Sequence, residues 1–460
     1  MDNQPAYLAN AKPNPAANRA PWYQNTAPAY AGIILWFVFW QDIVNTGTFG
    51  GGLAHGIWLP IVSVVVAALL CHFLFYLVPG LLGMKTGLPL YVIGSGVFGA
   101  RGGIIMPGLL MGLLQFGWVA VNIYFSSLLL SQTLTMVPLW VIMVAWGALA
   151  TFMGLKGIQY VAKVSTYLPL IPLVILLVLL AKTVGHVKEF SPEVFESGIA
   201  NAVVGVSGGV KALSSFGIFA FIVTYVVGFF ATAGAAGADF GTNARHADDV
   251  QKGGLFGVTL MMIFTGVVAV LIISGIYGAN LMLSGAPMQV TDSGVLSAIL
   301  GGSVAKLVMF LLALAAFPAA CFSSLIAANS FKTMLPKVNA NISVAIGGAV
   351  AIVLAVTGVA GKSAAVFGFI GASFGPICGA LLVDYFLNGK TWGGARAGFN
   401  PAGWAAWALG FTVGVLPNFG VALPLAPVAA FAVGAGVYYA FARLGLQSKQ
   451  ISRRDAETRS

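Results

Sequence analysis

The chain has 460 residues, 59% of them hydrophobic and only 7% charged. That balance excludes a soluble domain and a disordered chain, and is the composition of a polytopic membrane protein. The net charge of +10 does not point to nucleic acid: with twelve spans and an inside N-terminus, all of the 22 Lys and Arg fall inside except Lys182, Lys188, Lys211, Lys306 and Lys362. This is the positive-inside bias, which sets topology, and it puts both tails in the cytoplasm.

Residues 1–27 are polar, carry Pro13, Pro15 and Pro21, and lack the apolar core and cleavage site of a signal peptide, so they read as a disordered cytoplasmic tail. Spans are predicted over 29–53, 57–81, 103–131, 135–155, 157–182, 213–238, 253–279, 303–331, 339–360, 363–388, 401–418 and 422–444. Residues 183–212 form an extracellular loop with Glu193 and Glu196, and 445–460 a charged cytoplasmic tail. Cys71, Cys321 and Cys378 sit in apolar stretches without metal-ligand spacing, and His55, His72, His186 and His246 are scattered.

The first span begins as an ordinary membrane helix, Ile33 to Trp40, then meets Gln41, Asp42 and Asn45 and ends in Gly47, Gly50, Gly51 and Gly52. A carboxylate near the bilayer centre costs about 2.5–3.5 kcal/mol on insertion scales. The pattern reads as a helix that unwinds where it lines a polar cavity; the structural alternative is a polar stripe facing the bundle interior. The sixth span behaves alike: Val226 to Phe230 are bulky, Ala231 to Ala238 are small, and Asp239 follows. Two such segments five spans apart suggest an inverted repeat of five plus five helices, 28–182 and 213–388, with 389–444 adding two more. Close helix packing by Gly and Ala is the competing explanation.

In the third span Gln115, Trp118 and Asn122 lie at i, i+3 and i+7, one face of a helix. An indole flanked by two amides suits a planar heteroaromatic ring, while an interfacial anchor with interhelical glue explains the stripe equally well. In the eighth span Ala320, Ser323 and Ser324 lie at i, i+3 and i+4, where two hydroxyls beside a carbonyl suit a small hard cation such as Na+; serines that bond back to their own helix are the routine alternative. Asn329, about 140° further round an ideal helix, does not share that face. Gly94–Gly99 matches G-x-G-x-x-G, but no βαβ unit surrounds it. Asn341-Ile342-Ser343 fits a glycosylation pattern at the inner start of a span, where it means nothing. No nucleophile–base pair, metalloprotease motif or other sign of an enzyme is found.

Lys85-Thr86-Gly87-Leu88, Phe98-Gly99-Ala100-Arg101-Gly102, Gln115-Phe116-Gly117-Trp118, Thr46 to Leu53, Ala327-Ala328-Asn329-Ser330 and Leu335-Pro336-Lys337 together resemble the cytosine/purine/allantoin permeases of the nucleobase–cation symporter-1 family, over about residues 20–440. The resemblance implies an all-α polytopic membrane protein of the leucine-transporter type: about twelve helices, a 5+5 inverted repeat plus two, and helices 1 and 6 unwound mid-membrane. It implies a planar ring stacked on Trp118, a polar contact at Asn122, and an aromatic from the sixth helix, with Phe230 fitting best and Phe229 one register away. It gives Asn329 a substrate role that spacing alone does not. It also implies a sodium site of the Ala320 carbonyl, Ser323 and Ser324 with carbonyls around Trp40 to Ile43. Gln115, Gln41 and Asp42 complete the candidate substrate contacts. The chain departs from the cytosine-permease pattern at Asp42, an acid where a small or neutral residue is usual, and at Val119-Ala120 in place of Phe-Gly.

The expected function is therefore import of a nucleobase or similar nitrogen heterocycle by Na+ or H+ symport, without a cofactor. The protein is expected to be a plasma-membrane (inner-membrane) monomer whose partners are substrate and lipid. A same-fold carrier of a cationic amine or amino acid, with Asp42 as counter-charge, is the alternative.

Overall fold

Long apolar runs in lipid must satisfy their peptide groups internally, and these runs do so as helices. The computed structural model describes residues 5–30, 33, 51–156, 168, 170–193, 213–279, 281, 292–335 and 337–451. Among these the regular elements are all helical: α1 Trp58–Thr86, α2 Ile104–Ser131, α3 Leu139–Lys156, α4 Leu170–Thr183, α5 Ser215–Ala235, α6 Ala247–Gly278, α7 Gly302–Met334, α8 Ala340–Val356, α9 Ser363–Leu387, α10 Pro401–Val415 and α11 Ala426–Arg443. Eight of them are long and apolar enough to cross a membrane, α4 together with the 3-10 turns Val184–Glu189 that continue it. Most of the first span, with Trp40, Gln41, Asp42 and Ile43, lies outside the described residues, as do 157–167, 194–212 and 452–460. Thus α1, α2, α5 and α7 correspond to the second, third, sixth and eighth of the spans predicted from sequence.

α5 runs unbroken over Ser215–Ala235, is interrupted at Ala236 alone, and resumes as a short helix at Gly237–Gly241. Within α1 and α6 the winding widens to single π turns, Cys71–Tyr76 and Leu255–Leu260. Such turns admit one extra residue per hydrogen-bonded loop. At Gly254, just before the second π turn, a side chain would collide with His72 and Tyr76, so the glycine is what lets α6 close on α1.

The bundle face that carries both chain termini is sealed by polar side chains meeting backbone carbonyls. Residues 5–27, read from sequence as part of a disordered tail, lie together with 28–30 along the ends of α1, α5 and α6. The Tyr7 hydroxyl donates to the Ala100 carbonyl at 2.7 Å, Arg19 to the Met84 carbonyl at 3.1 Å, and Tyr30 to the Ala233 carbonyl at 2.7 Å. Asp249 accepts the Trp22 amide at 3.1 Å, and the Trp22 indole stacks on Phe256 at 4.8 Å. Met84 belongs to the last turn of α1, whose carbonyls have no intrahelical partners, and Gly87 ends that helix in the left-handed conformation at φ 67°.

The Gly94–Gly99 loop, which mimics a nucleotide-binding motif, is a docking loop here. Asn400 donates to the Val97 carbonyl at 2.7 Å and Arg396 to the Gly96 carbonyl at 3.0 Å. Gly99, at φ 86°, comes so close to the Gly398 carbonyl that no side chain fits. Behind this contact Arg396 pairs with Asp384 at 3.5 Å, and Tyr438 donates to the same carboxylate oxygen at 2.7 Å. All three are buried. Two predictions follow from this face. Removing one member of a buried ion pair leaves an uncompensated charge at a cost of about 3–5 kcal/mol, so Arg396→Met should lower the melting temperature in detergent markedly, whereas a double variant Arg396→Met with Asp384→Leu recovers part of the loss.

Asp239, in the short helix after α5, accepts the Leu90 amide at 3.1 Å. Enclosure by the protein pushes its carboxyl from 3.8 up to about 6, against the smaller opposite pull of that amide. Because the folded value is raised, the folded state binds the proton more tightly than the unfolded chain. The associated stability is fully present below about pH 4 and is lost as pH rises to about 6. Asp239→Asn should flatten the melting-temperature profile over that window and leave the profile above it parallel to wild type.

Candidate functional site

Trp118 and Asn122 stand on one face of α2, both half-buried, whereas Gln115 is buried and its side-chain amide points at the Met111 sulfur, 3.6 Å away. The Trp118 ring is boxed by α5 and α9. Phe229 meets it edge-on at 4.8 Å and 82°, and Phe367 lies over it at 5.1 Å and 29°. Phe229 and Tyr225 each meet Phe367 edge-on, at 5.4 and 5.1 Å. The indole N–H donates to the Thr232 hydroxyl at 3.2 Å. Edge-to-face and offset-stacked pairs are the favourable aromatic geometries, so the cage is held by its own ring contacts as well as by that hydrogen bond.

Its shape depends on close backbone approach. At Gly228 a side chain would run into the Phe367 carbonyl, and Gly371 packs back against Gly228, so α5 and α9 touch beside the cage. Of the two α5 aromatics named from sequence, Phe229 is the one against Trp118. Phe230 is fully buried on another face, 5.8 Å from Tyr30. Tyr225, Thr232 and Phe367 were not singled out beforehand. The first two were legible in principle, since Tyr225, Phe229 and Thr232 fall at i, i+4 and i+7, one stripe of α5. Phe367 carried no such pattern.

Asn122 ties three helices together. Its Nδ2 donates to the Ala316 carbonyl of α7 at 2.9 Å, while Oδ1 accepts from Ser126 at 3.4 Å and from the Trp146 indole of α3 at 3.5 Å. The antiparallel register of α2 on α7 follows from Asn122 against Ala316 at one end and Ser330 donating to the Gly108 carbonyl, 2.6 Å, at the other. That register sets Ala320 level with Trp118 and Ser323 level with Gln115, with Asn329 about two and a half turns beyond Ala320. Asn329 is exposed on an unbroken α7, so the structure does not bring it beside Trp118. Ser324 is buried against Gly154 of α3, and its hydroxyl donates to the Ala320 carbonyl at 3.0 Å; Ser323 is half-buried. No cluster of three or more His, Cys, Asp or Glu suited to a metal occurs among the described residues.

A bundle of apolar helices long enough to span a bilayer defines a polytopic membrane protein, and within it a cluster of aromatic side chains surrounds Trp118. The family described as permease for cytosine/purines, uracil, thiamine, allantoin matches residues 21–436, and the chain belongs to that family. It is accordingly a membrane transporter and not an enzyme. Among solved structures it is similar to Mhp1, a nucleobase-cation-symport-1 family transporter, in a closed conformation with bromovinylhydantoin bound: TM-score 0.65, 17% identity, 98% of each chain covered. The inward-facing conformation of Mhp1 matches with TM-score 0.66 and 18% identity over 97% of each chain. A Na+-coupled sialic acid symporter in a substrate-bound outward-open state matches with TM-score 0.58 and 14% identity, covering 95% of this chain and 92% of its own. These likenesses establish the fold. No curated protein sequence matches the chain.

Proposed function

We propose that the protein is a secondary active importer of a nucleobase or a related small nitrogen heterocycle, driven by cation symport with alternating access. The observation that carries this reading is the Trp118 cage. Phe367 lies over the indole at 29°, much as a planar heterocycle would stack, with Phe229 closing the edge. Stacking of a base on an aromatic ring contributes about 1–3 kcal/mol and tolerates any flat π system, so the cage suits flat heteroaromatic rings as a class.

Sodium is the proposed coupling ion, held by the Ala320 carbonyl, Ser323 and Ser324 together with carbonyls of the first span around Trp40 to Ile43. The comparison with a Na+-coupled symporter of the same fold supports it. The proposed architecture is twelve spans in two inverted five-helix repeats plus two helices, acting as a monomer in the plasma (inner) membrane with both termini in the cytoplasm. Gln41, Asp42, Gln115 and Asn329 are proposed as further substrate contacts when the bundle rearranges.

A thermal-shift screen of the purified protein tests the reading, because ligand binding raises apparent stability by mass action. Nucleobases, hydantoin, allantoin and small amines are assayed in sodium or choline chloride. A sodium-dependent upward shift with one neutral heterocycle is expected, and Trp118→Ala should weaken its affinity by about tenfold or more. Shifts confined to cationic amines and lost in Asp42→Asn would replace this reading with that of an amine carrier.

A further inference from the structure

The geometry points to Thr232 as a positioning residue for ring binding: its hydroxyl aims the Trp118 indole, so that affinity for a stacked heterocycle is set in part from α5. The inference rests on the proposed reading that a heterocycle stacks on Trp118, and it deepens that reading by naming a residue that acts on the bound ring through the indole.

A threonine inside a membrane helix ordinarily bonds back to its own backbone. Thr86, Thr183 and Thr333 do so here, each donating to the carbonyl four residues before it, at 2.7, 2.9 and 2.8 Å. The Thr232 hydroxyl instead has the Trp118 N–H as its partner among the described residues, at 3.2 Å and from another helix. An indole N–H can only donate, so the hydroxyl oxygen accepts. Thr232 is 2% exposed, which shields the bond from competing water.

Thr232 is the fixed partner of the two. At Gly228, one turn before it, α5 lies against the Phe367 carbonyl of α9, and at Gly234, just after it, against Phe75 of α1. Neither glycine leaves room for a side chain, so α5 is held on both sides of Thr232. The Thr232 carbonyl also accepts the Ala236 amide at 2.9 Å, where α5 is interrupted. Trp118 is the adjustable partner. It is half-buried and stands on α2, which packs chiefly on α3, α7 and α8, whereas α5 packs on α1 and α9. Its indole thus reaches from one group of helices to another. The last torsion of a tryptophan side chain is broad and roughly two-fold, so apolar packing alone defines the ring orientation loosely. A hydrogen bond at one edge selects the orientation in which Phe229 meets the indole edge-on and Phe367 lies over it. Without that acceptor the N–H is a buried donor with no partner, which is costly. The indole then turns to satisfy it and takes the stacking face out of line.

The test uses the full-length protein in detergent and whichever of uracil, cytosine, hypoxanthine, hydantoin and allantoin wild type binds most tightly. Thr232→Val keeps the shape and removes the acceptor, and should weaken binding about fivefold. Thr232→Ser restores the hydroxyl and should stay within about twofold of wild type. Trp118→Phe keeps a ring face without an N–H, so adding Thr232→Val to it should weaken binding by no more than about twofold further. A purely structural role for Thr232, or direct contact with the ligand, would carry the full loss into the Trp118→Phe background and overturn the inference. Equal binding by Thr232→Val and wild type would overturn it too. Should Thr232→Val not fold, or Trp118→Phe bind too weakly to measure, benzothienylalanine in place of Trp118 decides, since it keeps the bicyclic ring and lacks the N–H. It should weaken binding about fivefold, and unchanged affinity overturns the inference. Failure of the underlying reading looks different: either none of these heterocycles binds wild type, or Trp118→Ala binds them as well as wild type does.

Discussion

A peptide group without a hydrogen-bond partner costs several kcal/mol in hydrocarbon, and this chain is arranged around that penalty. Helices satisfy their own interiors, but every end and every close crossing leaves carbonyls that need donors. The donors come from long polar side chains reaching between elements: Tyr30 to Ala233, Arg19 to Met84, Tyr7 to Ala100, Asn400 to Val97, the Trp407 indole to Ser373, and Asn122 to Ala316. Each bond fixes the relative position of two segments as well as satisfying a carbonyl. The terminal face, where most of them gather, is consequently the most cross-braced part of the bundle.

The same economy shapes the cage. Trp118 is oriented by a hydrogen bond to α5, Asn122 by one to α7, and α5 meets α9 where Gly228 admits the Phe367 carbonyl. Three helices thus converge on one indole through contacts that do not involve any ligand. A site held by its own scaffold loses less entropy on binding than one that must be ordered by its ligand. The preorganised part is the aromatic wall of Trp118, Phe229 and Phe367.

Hydropathy made the helices legible because in a membrane length and apolarity decide almost everything about a span. The predicted 57–81, 103–131, 213–238 and 363–388 correspond closely to α1, α2, α5 and α9. What the pattern could not convey was contact with carbonyls, which have no sequence signature. Residues 1–27 read as a tail because they are polar and carry three prolines, yet Arg19 binds a helix-end carbonyl of α1, as Tyr30 just beyond binds one of α5. Gly94–Gly99 read as a false motif, and its real use appears only once Arg396 and Asn400, about three hundred positions later, arrive to bind it. At the site, the choice between Phe229 and Phe230 turned on a rotation of about 100° that neither residue type nor neighbours encode. Asn329 was placed by resemblance, and on an unbroken α7 it stands apart from Trp118.

The position of Asn122 also bears on coupling. Its anchor, the Ala316 carbonyl, and the Ala320 carbonyl that Ser324 engages lie four residues apart on α7, one turn of the same helix. On the proposed reading a cation drawing on Ala320 and Ser324 would act one turn from the carbonyl that orients Asn122. Any shift in α7 that improves cation coordination would then change how well Asn122 is aimed, and a ligand that pulls on Asn122 would bear on the cation through the same turn. Coupling of this kind is necessarily reciprocal: the factor by which the cation raises ring affinity equals the factor by which the ring raises cation affinity. It requires no long pathway through the protein, only that both ligands borrow their geometry from adjacent turns of one helix.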